Sequence, residues 1–126
     1  MGSSAVLLVE DNDINRDMLT RRLTRVGLTV ITAADGVRAL EIMRERQPGV
    51  VLMDMTLPIL DGWEAIQKAK GDPVIAKIPI IALTAHAMAA DKERAFNAGC
   101  SEYETKPIDF PALLVKIYQF LDGSAA

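Results

Sequence analysis

The chain has 126 residues, 50% of them hydrophobic, and a formal net charge of -3 at pH 7. This length suits one domain built around one hydrophobic core. No basic stripe occurs, so direct nucleic-acid binding is not expected. Neither an apolar run of about 18 residues nor a signal-peptide pattern occurs, so membrane spanning and secretion are not expected. The single cysteine, Cys100, fits a reducing compartment and favours a cytoplasmic protein.

Short apolar runs alternate with amphipathic stretches along the whole chain. The predicted strands are 5–9, 28–32, 50–54, 78–84 and, with a weaker pattern, 101–105. The predicted helices are 14–26, 36–46, one that begins after Asp61, 87–99 and 109–121. Gly27 is placed to end the first helix, and Asp35 to cap the second.

Five repeats of strand and helix predict an α/β fold with a parallel sheet covered on both faces. The strand number favours the flavodoxin-like (βα)5 doubly wound sheet, with strand order 2-1-3-4-5. We expect a single domain over residues 5–122, with flexible tails at 1–4 and 123–126. In such sheets the ligand site lies at the carboxyl ends of the strands, near the first and third strands.

Polar residues stand at the carboxyl ends of four of the five predicted strands. Glu10 and Asp11 follow the first strand, and Asp54 closes the third. Thr84 closes the fourth strand, and Lys106 follows the fifth. Taken singly, each has an ordinary explanation: a solvated acidic loop, a helix cap or a turn before proline. Together they predict three carboxylates, a hydroxyl and an ammonium at one edge of the sheet.

These positions lie in the segments VEDND, LMDMTLPILDG, IIALTA and YETKP. The four segments, in this order, resemble the motifs of the receiver domain of two-component response regulators. The resemblance extends from about Val6 to Leu121. It implies that Asp54 is the phosphoacceptor and takes a phosphoryl group from a phosphohistidine. It also implies a phosphorylation-dependent signalling switch, not an enzyme, although the domain takes part in its own phosphorylation and autodephosphorylation.

The resemblance assigns the remaining site residues as well. Mg²⁺ would be held by Glu10, Asp11, Asp54 and the backbone carbonyl of Thr56. Thr84 and Lys106 would contact the phosphoryl oxygens, and the Lys106-Pro107 bond would be cis. Tyr103 would be the aromatic side chain that moves on activation, although a half-buried tyrosine is also ordinary packing. Hard oxygen ligands are the ones that Mg²⁺ prefers, and an aspartyl phosphate is a known type of covalent intermediate.

The implied partners are a histidine kinase or a histidine phosphotransfer protein, and a downstream protein target. The donor would dock on the first helix near Asn15 and Met18, for which a plain solvated helix face is the alternative. Because the sequence stops after the fifth helix, no output domain is expected. The chain resembles both single-domain regulators of the DivK type and the receivers of hybrid histidine kinases.

Two other functions compete with the signalling switch. A haloacid-dehalogenase-type phosphatase also uses a strand-end aspartate and Mg²⁺, but it needs an acid two residues later, where this chain has Thr56. A degenerate receiver would act as a binding module without phosphorylation. The lone histidine, His86, suggests control of access to the phosphoryl group more than a relay role. Trp63 is interpreted as a packing or surface residue, and Cys100 as buried and inert.

Overall fold

The computed structural model describes residues 5–55, 57, 61–85 and 89–123. Its strands are β1 (Val6–Val9), β2 (Val30–Ala33), β3 (Val50–Asp54), β4 (Ile80–Thr84) and β5 (Glu102–Thr105). Its helices are α1 (Asp13–Arg25), α2 (Gly36–Arg46), α3 (Gly62–Lys70), α4 (Ala89–Ala98) and α5 (Phe110–Gly123). The strictly alternating order of strands and helices is the one predicted from the sequence.

The five strands form one parallel sheet in the order β2-β1-β3-β4-β5, which confirms the predicted flavodoxin-like topology. In the register, Val9 lies opposite Met53, and Asp54 lies opposite Leu83. On the other side of β4, where β5 pairs with it, Thr84 lies opposite Thr105. The carboxyl ends of β1, β3, β4 and β5 are therefore level with one another at one edge of the sheet.

Side chains that alternate along the strands enter two separate apolar clusters. Leu8, Leu52 and Leu113 belong to the cluster under α1 and α5. Leu7 and Met53 belong to the other cluster, under α2, α3 and α4. Because helices cover both faces, the central strands are continuous apolar runs, as parallel sheets require. Burial of each such side chain contributes about 1.5–3 kcal/mol to folding.

Two strands, β2 and β4, begin two residues later than the sequence predicts, whereas β1 and β5 begin one residue later. β2 begins at Val30 and not at residue 28, because Leu28 belongs to the C-terminal cap of α1. The amide of Leu28 donates to the Leu23 carbonyl (3.2 Å), and Gly27 has φ +97°. This is a Schellman motif, so Gly27 does end α1 in the left-handed conformation. β4 begins at Ile80, because Ile78 is in a turn closed on the Ile75 carbonyl.

The capping prediction is confirmed for Asp35, which accepts from the amide of Arg38, and Asp61 caps the start of α3 in the same way by accepting from the amide of Glu64. Thr56 and His86 lie outside the described residues, as do the predicted tails except Gly123, the last residue of α5. Within the described part of the chain, no helix is both long and apolar enough to span a membrane.

Candidate functional site

Three carboxylates meet at the carboxyl edge of the sheet. Glu10 and Asp11 follow β1, Asp54 ends β3, and oxygen atoms of all three lie within 4.8 Å of one another. We call this group the acid cluster. Glu10 and Asp54 are buried, whereas Asp11 is exposed. The cluster is therefore reached from solvent on the side of Asp11, and its oxygens could jointly bind a divalent cation.

Lys106 supplies positive charge to the acid cluster. Its Nζ lies 3.3 Å from Asp54 Oδ1 and 3.8 Å from Glu10 Oε1. The Lys106-Pro107 bond is cis, as the resemblance implied. The amide of Lys106 donates to the Thr84 carbonyl (2.7 Å), which extends the pairing of β4 and β5 up to the site. One ammonium thus faces three carboxylates, so the described cluster carries an excess of negative charge.

The surroundings of Glu10 favour its protonated form. Burial first of all, and then a hydrogen bond with Asp54 and the charge of Asp54, raise the pKa of this carboxyl from 4.5 to about 7. The amide of Asn12 (3.1 Å) and the charge of Lys106 act in the opposite direction. Near neutral pH, Glu10 is therefore protonated part of the time.

Thr84 and Tyr103 are joined beside the acid cluster. Thr84 is buried at the end of β4, and Tyr103 is only 6% exposed on β5. Burial raises the pKa of the Tyr103 phenol, while a hydrogen bond with Thr84 lowers it. The ring lies within the apolar cluster under α2, α3 and α4. The structure thus places Tyr103 in an inward position with its hydroxyl engaged by Thr84.

Gly62 allows α3 to begin directly against the end of β3. A Cβ atom at this position would lie 2.5 Å from the Asp54 carbonyl oxygen and 2.6 Å from Met55 Cα. Real Cβ atoms essentially never approach backbone atoms so closely. Only glycine therefore permits this contact, which fixes the backbone on which the Asp54 carboxylate stands.

Sequence reasoning missed Arg16, which binds the loop that carries the acids. Its guanidinium donates to the backbone carbonyl of Glu10 (2.8 Å), contacts that of Asp11 (3.4 Å) and pairs with the side chain of Asp13. The three-residue spacing of Asp13 and Arg16 on a helix indicates a pair, but it gives no sign of the two carbonyl contacts.

A second missed feature is the ion pair between Glu104 on β5 and Lys116 on α5, which we call the anchor pair. Lys116 Nζ lies 2.6 Å from Glu104 Oε2 and also donates to the backbone carbonyl of Tyr103 (2.7 Å). Glu104 is buried. The 12-residue separation of the pair depends on how α5 packs on the sheet, so no local sequence pattern indicates it.

A shallow, mostly apolar groove lies beside the acid cluster. It has a volume of about 310 Å³ and is lined by residues of α1, of the segment after β5 and of the cluster itself. Its lining includes Asn15, Met18, Lys106, Pro107 and Ile108. Met18 is 56% exposed, on the side of α1 opposite the buried Leu23. The groove thus joins the predicted docking residues to the acid cluster.

Two further residues have the structural settings that the sequence suggests. Trp63 packs at the margin of the apolar cluster under α2, α3 and α4, and the Arg94 guanidinium lies 4.2 Å from its ring centroid. Cys100 is buried, and burial raises the pKa of its thiol to about 11. The thiol is therefore protonated at neutral pH, which makes it a poor nucleophile.

Comparison with known proteins gives a consistent result. A family profile described as the response regulator receiver domain matches residues 6–118. The chain is 37% identical to the polar-differentiation response regulator DivK of Brucella anthropi over 117 residues, 93% of this chain and 95% of that protein.

Solved structures agree with the sequence comparisons. The receiver domain of the sensor histidine kinase PA1611 of Pseudomonas aeruginosa superposes with a TM-score of 0.87 at 32% identity, covering 96% of this chain and 99% of that one. That structure has a magnesium ion coordinated in its active-site cleft. The Ssk1 receiver domain of Saccharomyces cerevisiae was crystallised with the histidine phosphotransfer protein Ypd1. It superposes with a TM-score of 0.89 at 32% identity, covering 99% of this chain and 93% of that one.

Proposed function

Because the chain belongs to the receiver domains of two-component response regulators, which are phosphoacceptor signalling modules, we propose that Asp54 is its phosphoacceptor. The observation that carries this proposal is the position of Asp54. It is a buried strand-end carboxylate, 3.3 Å from Lys106 and within the acid cluster. Placing a buried carboxylate among two others at the end of an apolar strand is costly to folding, so a functional role accounts for its position.

The acid cluster fits a magnesium ion. Mg²⁺ prefers carboxylate oxygens, and it usually keeps several waters and binds substrate phosphate oxygens as well. Glu10, Asp11 and Asp54 offer such oxygens within 4.8 Å of one another. The raised pKa of Glu10 is further support, because burial, followed by the hydrogen bond and the charge of Asp54, disfavours its ionised form despite the charge of Lys106, and a bound cation would favour that form. Thr56, which lies outside the described residues, would add its backbone carbonyl. The bound ion would neutralise charge on the phosphoryl oxygens.

The phosphoryl transfer itself requires little of the protein beyond positioning and charge. A carboxylate oxygen of Asp54 forms a bond to phosphorus as the nitrogen–phosphorus bond of the donor phosphohistidine breaks, and the histidine nitrogen keeps the electron pair. Lys106 would hold one phosphoryl oxygen as a point charge, and Thr84 would donate its hydroxyl to another. Autodephosphorylation returns the carboxylate when water attacks the phosphorus and releases inorganic phosphate.

Thr84 and Tyr103 would carry the signal. When a phosphoryl oxygen accepts the hydroxyl of Thr84, the hydrogen bond between Thr84 and Tyr103 is lost. Thr84 would move toward the phosphoryl group, and the Tyr103 ring would swing further inward into the space that Thr84 vacates, which changes the surface formed by α4, β5 and α5 that a downstream protein target binds. Unchanged NMR shifts of the Tyr103 ring on phosphorylation would contradict this switch.

The phosphoryl donor would be a histidine kinase or a histidine phosphotransfer protein, docked on the groove beside α1. Met18 offers an adaptable apolar contact there, and Asn15 a polar one. The groove reaches Glu10 and Lys106, so a histidine carried by a helix in this groove would approach the acid cluster. The Ssk1 receiver domain, a structural relative, was crystallised with a phosphotransfer protein of this kind. We further propose that the domain spans residues 5–122 and functions in the cytoplasm.

Intact mass spectrometry after incubation with acetyl phosphate and Mg²⁺ tests the proposal. We expect the mass of one phosphoryl group to be added, and this gain to be lost in Asp54→Asn and with a chelator. Asp35→Asn is the matched control. Asp35 follows β2 at the same edge of the sheet, and asparagine also caps a helix, so this variant should be phosphorylated normally. A protein that gains no phosphoryl group from acetyl phosphate or from a phosphohistidine donor would instead be a degenerate receiver that binds its partners without phosphorylation.

A further inference from the structure

We infer that Arg16 is a positioning residue that sets the geometry of the magnesium site from outside it. The inference rests on the proposed function of the acid cluster. Arg16 lies in the first turns of α1, and its guanidinium contacts the backbone of the two residues that follow β1. The contact to the Glu10 carbonyl is 2.8 Å and the contact to the Asp11 carbonyl is 3.4 Å.

These contacts add to the hydrogen bonds that already hold the loop between β1 and α1. Asn12 caps α1 by accepting from the amide of Asn15 (2.9 Å), and its own amide donates to the Glu10 carboxylate (3.1 Å). Arg16 binds the carbonyl side of the same loop. The peptide groups between Glu10 and Asp13 are therefore held from both sides, and the directions of the Glu10 and Asp11 side chains follow from them.

Charge alone does not explain the position of Arg16. A cation beside a metal site opposes the binding of a second cation. Asp13 cancels this effect, because its carboxylate pairs directly with the Arg16 guanidinium. The pair is neutral as a unit, and what remains is the geometry of its hydrogen bonds. Only arginine offers a planar group with several donors that can bind carbonyls and a carboxylate simultaneously.

The experiment compares two variants with the same change of charge on the same helix. In Asp13→Asn/Arg16→Met the neutral pair is removed, and Mg²⁺ affinity is measured by isothermal titration calorimetry. Loss of groups that orient metal ligands typically weakens metal binding by about 10–100-fold, and we expect the lower end, about tenfold. The control is Asp17→Asn/Arg21→Met, which removes an exposed ion pair one turn further along α1. It should bind Mg²⁺ within about twofold of the wild type.

Arg16→Lys keeps the charge but offers a single ammonium, so its Mg²⁺ affinity should be intermediate. If the double variant does not fold, the Mg²⁺ affinity of Arg16→Lys still tests whether Arg16 positions the metal site. Wild-type affinity in both Asp13→Asn/Arg16→Met and Arg16→Lys would overturn the inference, as would an equal loss in the Asp17/Arg21 control.

A second measurement separates this inference from the proposed function. Hydrogen exchange of the Asn12 amide, measured without metal, should be faster in Asp13→Asn/Arg16→Met than in the control variant. If the wild-type protein did not bind Mg²⁺, the proposed function would fail. The hydrogen-exchange measurement alone would then test whether Arg16 positions the loop. An Asn12 amide equally protected in both variants would then overturn the positioning role.

Discussion

Two buried glutamates near the carboxyl edge of the sheet each face a lysine, and their surroundings differ. In the anchor pair, Glu104 lies 2.6 Å from Lys116, which also binds the Tyr103 carbonyl. In the acid cluster, Glu10 lies 3.8 Å from Lys106, which it shares with Asp54. The first glutamate has its own short ion pair. The second glutamate has a longer ion pair and shares its lysine with a neighbouring carboxylate. Its pKa is raised to about 7.

The difference separates a carboxylate that contributes to folding from one that we propose binds Mg²⁺. A buried charge is tolerated when it is paired and hydrogen-bonded, and this condition is met in the anchor pair. Within the described residues, the acid cluster meets this condition only in part, because Glu10 and Asp54 face the same lysine. A short stretch, from Glu104 near the end of β5 to Lys106 just after it, supplies one residue to each site. Burial alone therefore does not distinguish the two carboxylates, whereas the balance of charge around them does.

The largest effect is expected when the anchor pair is broken. Lys116→Met leaves Glu104 buried without its ion pair, so the free energy of unfolding should fall by roughly 3 kcal/mol. Urea denaturation measures this loss. Lys68→Met, on an exposed position of α3, is the control and should change stability by less than about 0.5 kcal/mol. Adding Glu104→Leu to Lys116→Met should recover most of the lost stability, because no buried charge is then left without its ion pair. A double variant no more stable than Lys116→Met would contradict a pairing role.

Gly62→Ala should disturb the acid cluster without touching the anchor pair. The new methyl group would meet the Asp54 carbonyl at 2.5 Å, so β3 and α3 must move apart. We expect a destabilisation of about 2 kcal/mol together with weaker Mg²⁺ binding. Gly71→Ala is the matched control, because its Cβ would have ordinary contacts of 3.5 Å or more. Equal Mg²⁺ affinity in the Gly62 and Gly71 variants would show that the close approach of α3 does not position Asp54.

The protonation of Glu10 should make Mg²⁺ binding depend on pH. The carboxyl must lose its proton to bind the ion, and its pKa of about 7 lies above the ordinary value of 4.5. Apparent affinity should therefore rise as pH increases through 7, by about tenfold between pH 6 and pH 8. Calorimetry in buffers of different ionisation enthalpy would also detect the released proton. In Glu10→Gln the pH dependence should largely disappear, and a persistent one would assign it to another group.

The smallest effect concerns stability in the absence of metal. Asp54→Asn removes one negative charge from the acid cluster, so the unfolding free energy in chelator should increase by about 1 kcal/mol. The matched control is again Asp35→Asn, which should be close to wild type. Added Mg²⁺ should reverse the order of stability, since only the wild type keeps all three carboxylates. A variant less stable than the wild type in chelator would show that Lys106 already balances Asp54.

The sequence predicted the sheet order and the convergence of Glu10, Asp11, Asp54, Thr84 and Lys106, because both follow from the alternation of strands and helices. In a parallel sheet every strand ends at the same edge, so strand ends alone locate these residues. Element bounds were less predictable where a cap uses residues that look like strand, as Leu28 does after α1.

The residues that were missed act through side-chain geometry. Arg16 binds backbone carbonyls, which leave no trace in residue identity, and Lys116 meets β5 only because α5 returns across the sheet. Neither contact could be read from periodicity or from a motif. The roles assigned to Thr56 and His86 remain predictions, since both residues lie outside the described part of the chain.

The bond from Lys116 to the Tyr103 carbonyl has a mechanical consequence. It fixes the main chain at the residue whose side chain is proposed to move, while the hydroxyl end of that side chain is hydrogen-bonded to Thr84. With a fixed backbone, Tyr103 changes position by rotation about its own side-chain bonds, and β5 does not have to shift. α5 then keeps its position while only the Tyr103 ring rotates. A partner protein would therefore distinguish the two states by the place of one aromatic side chain on an otherwise constant surface.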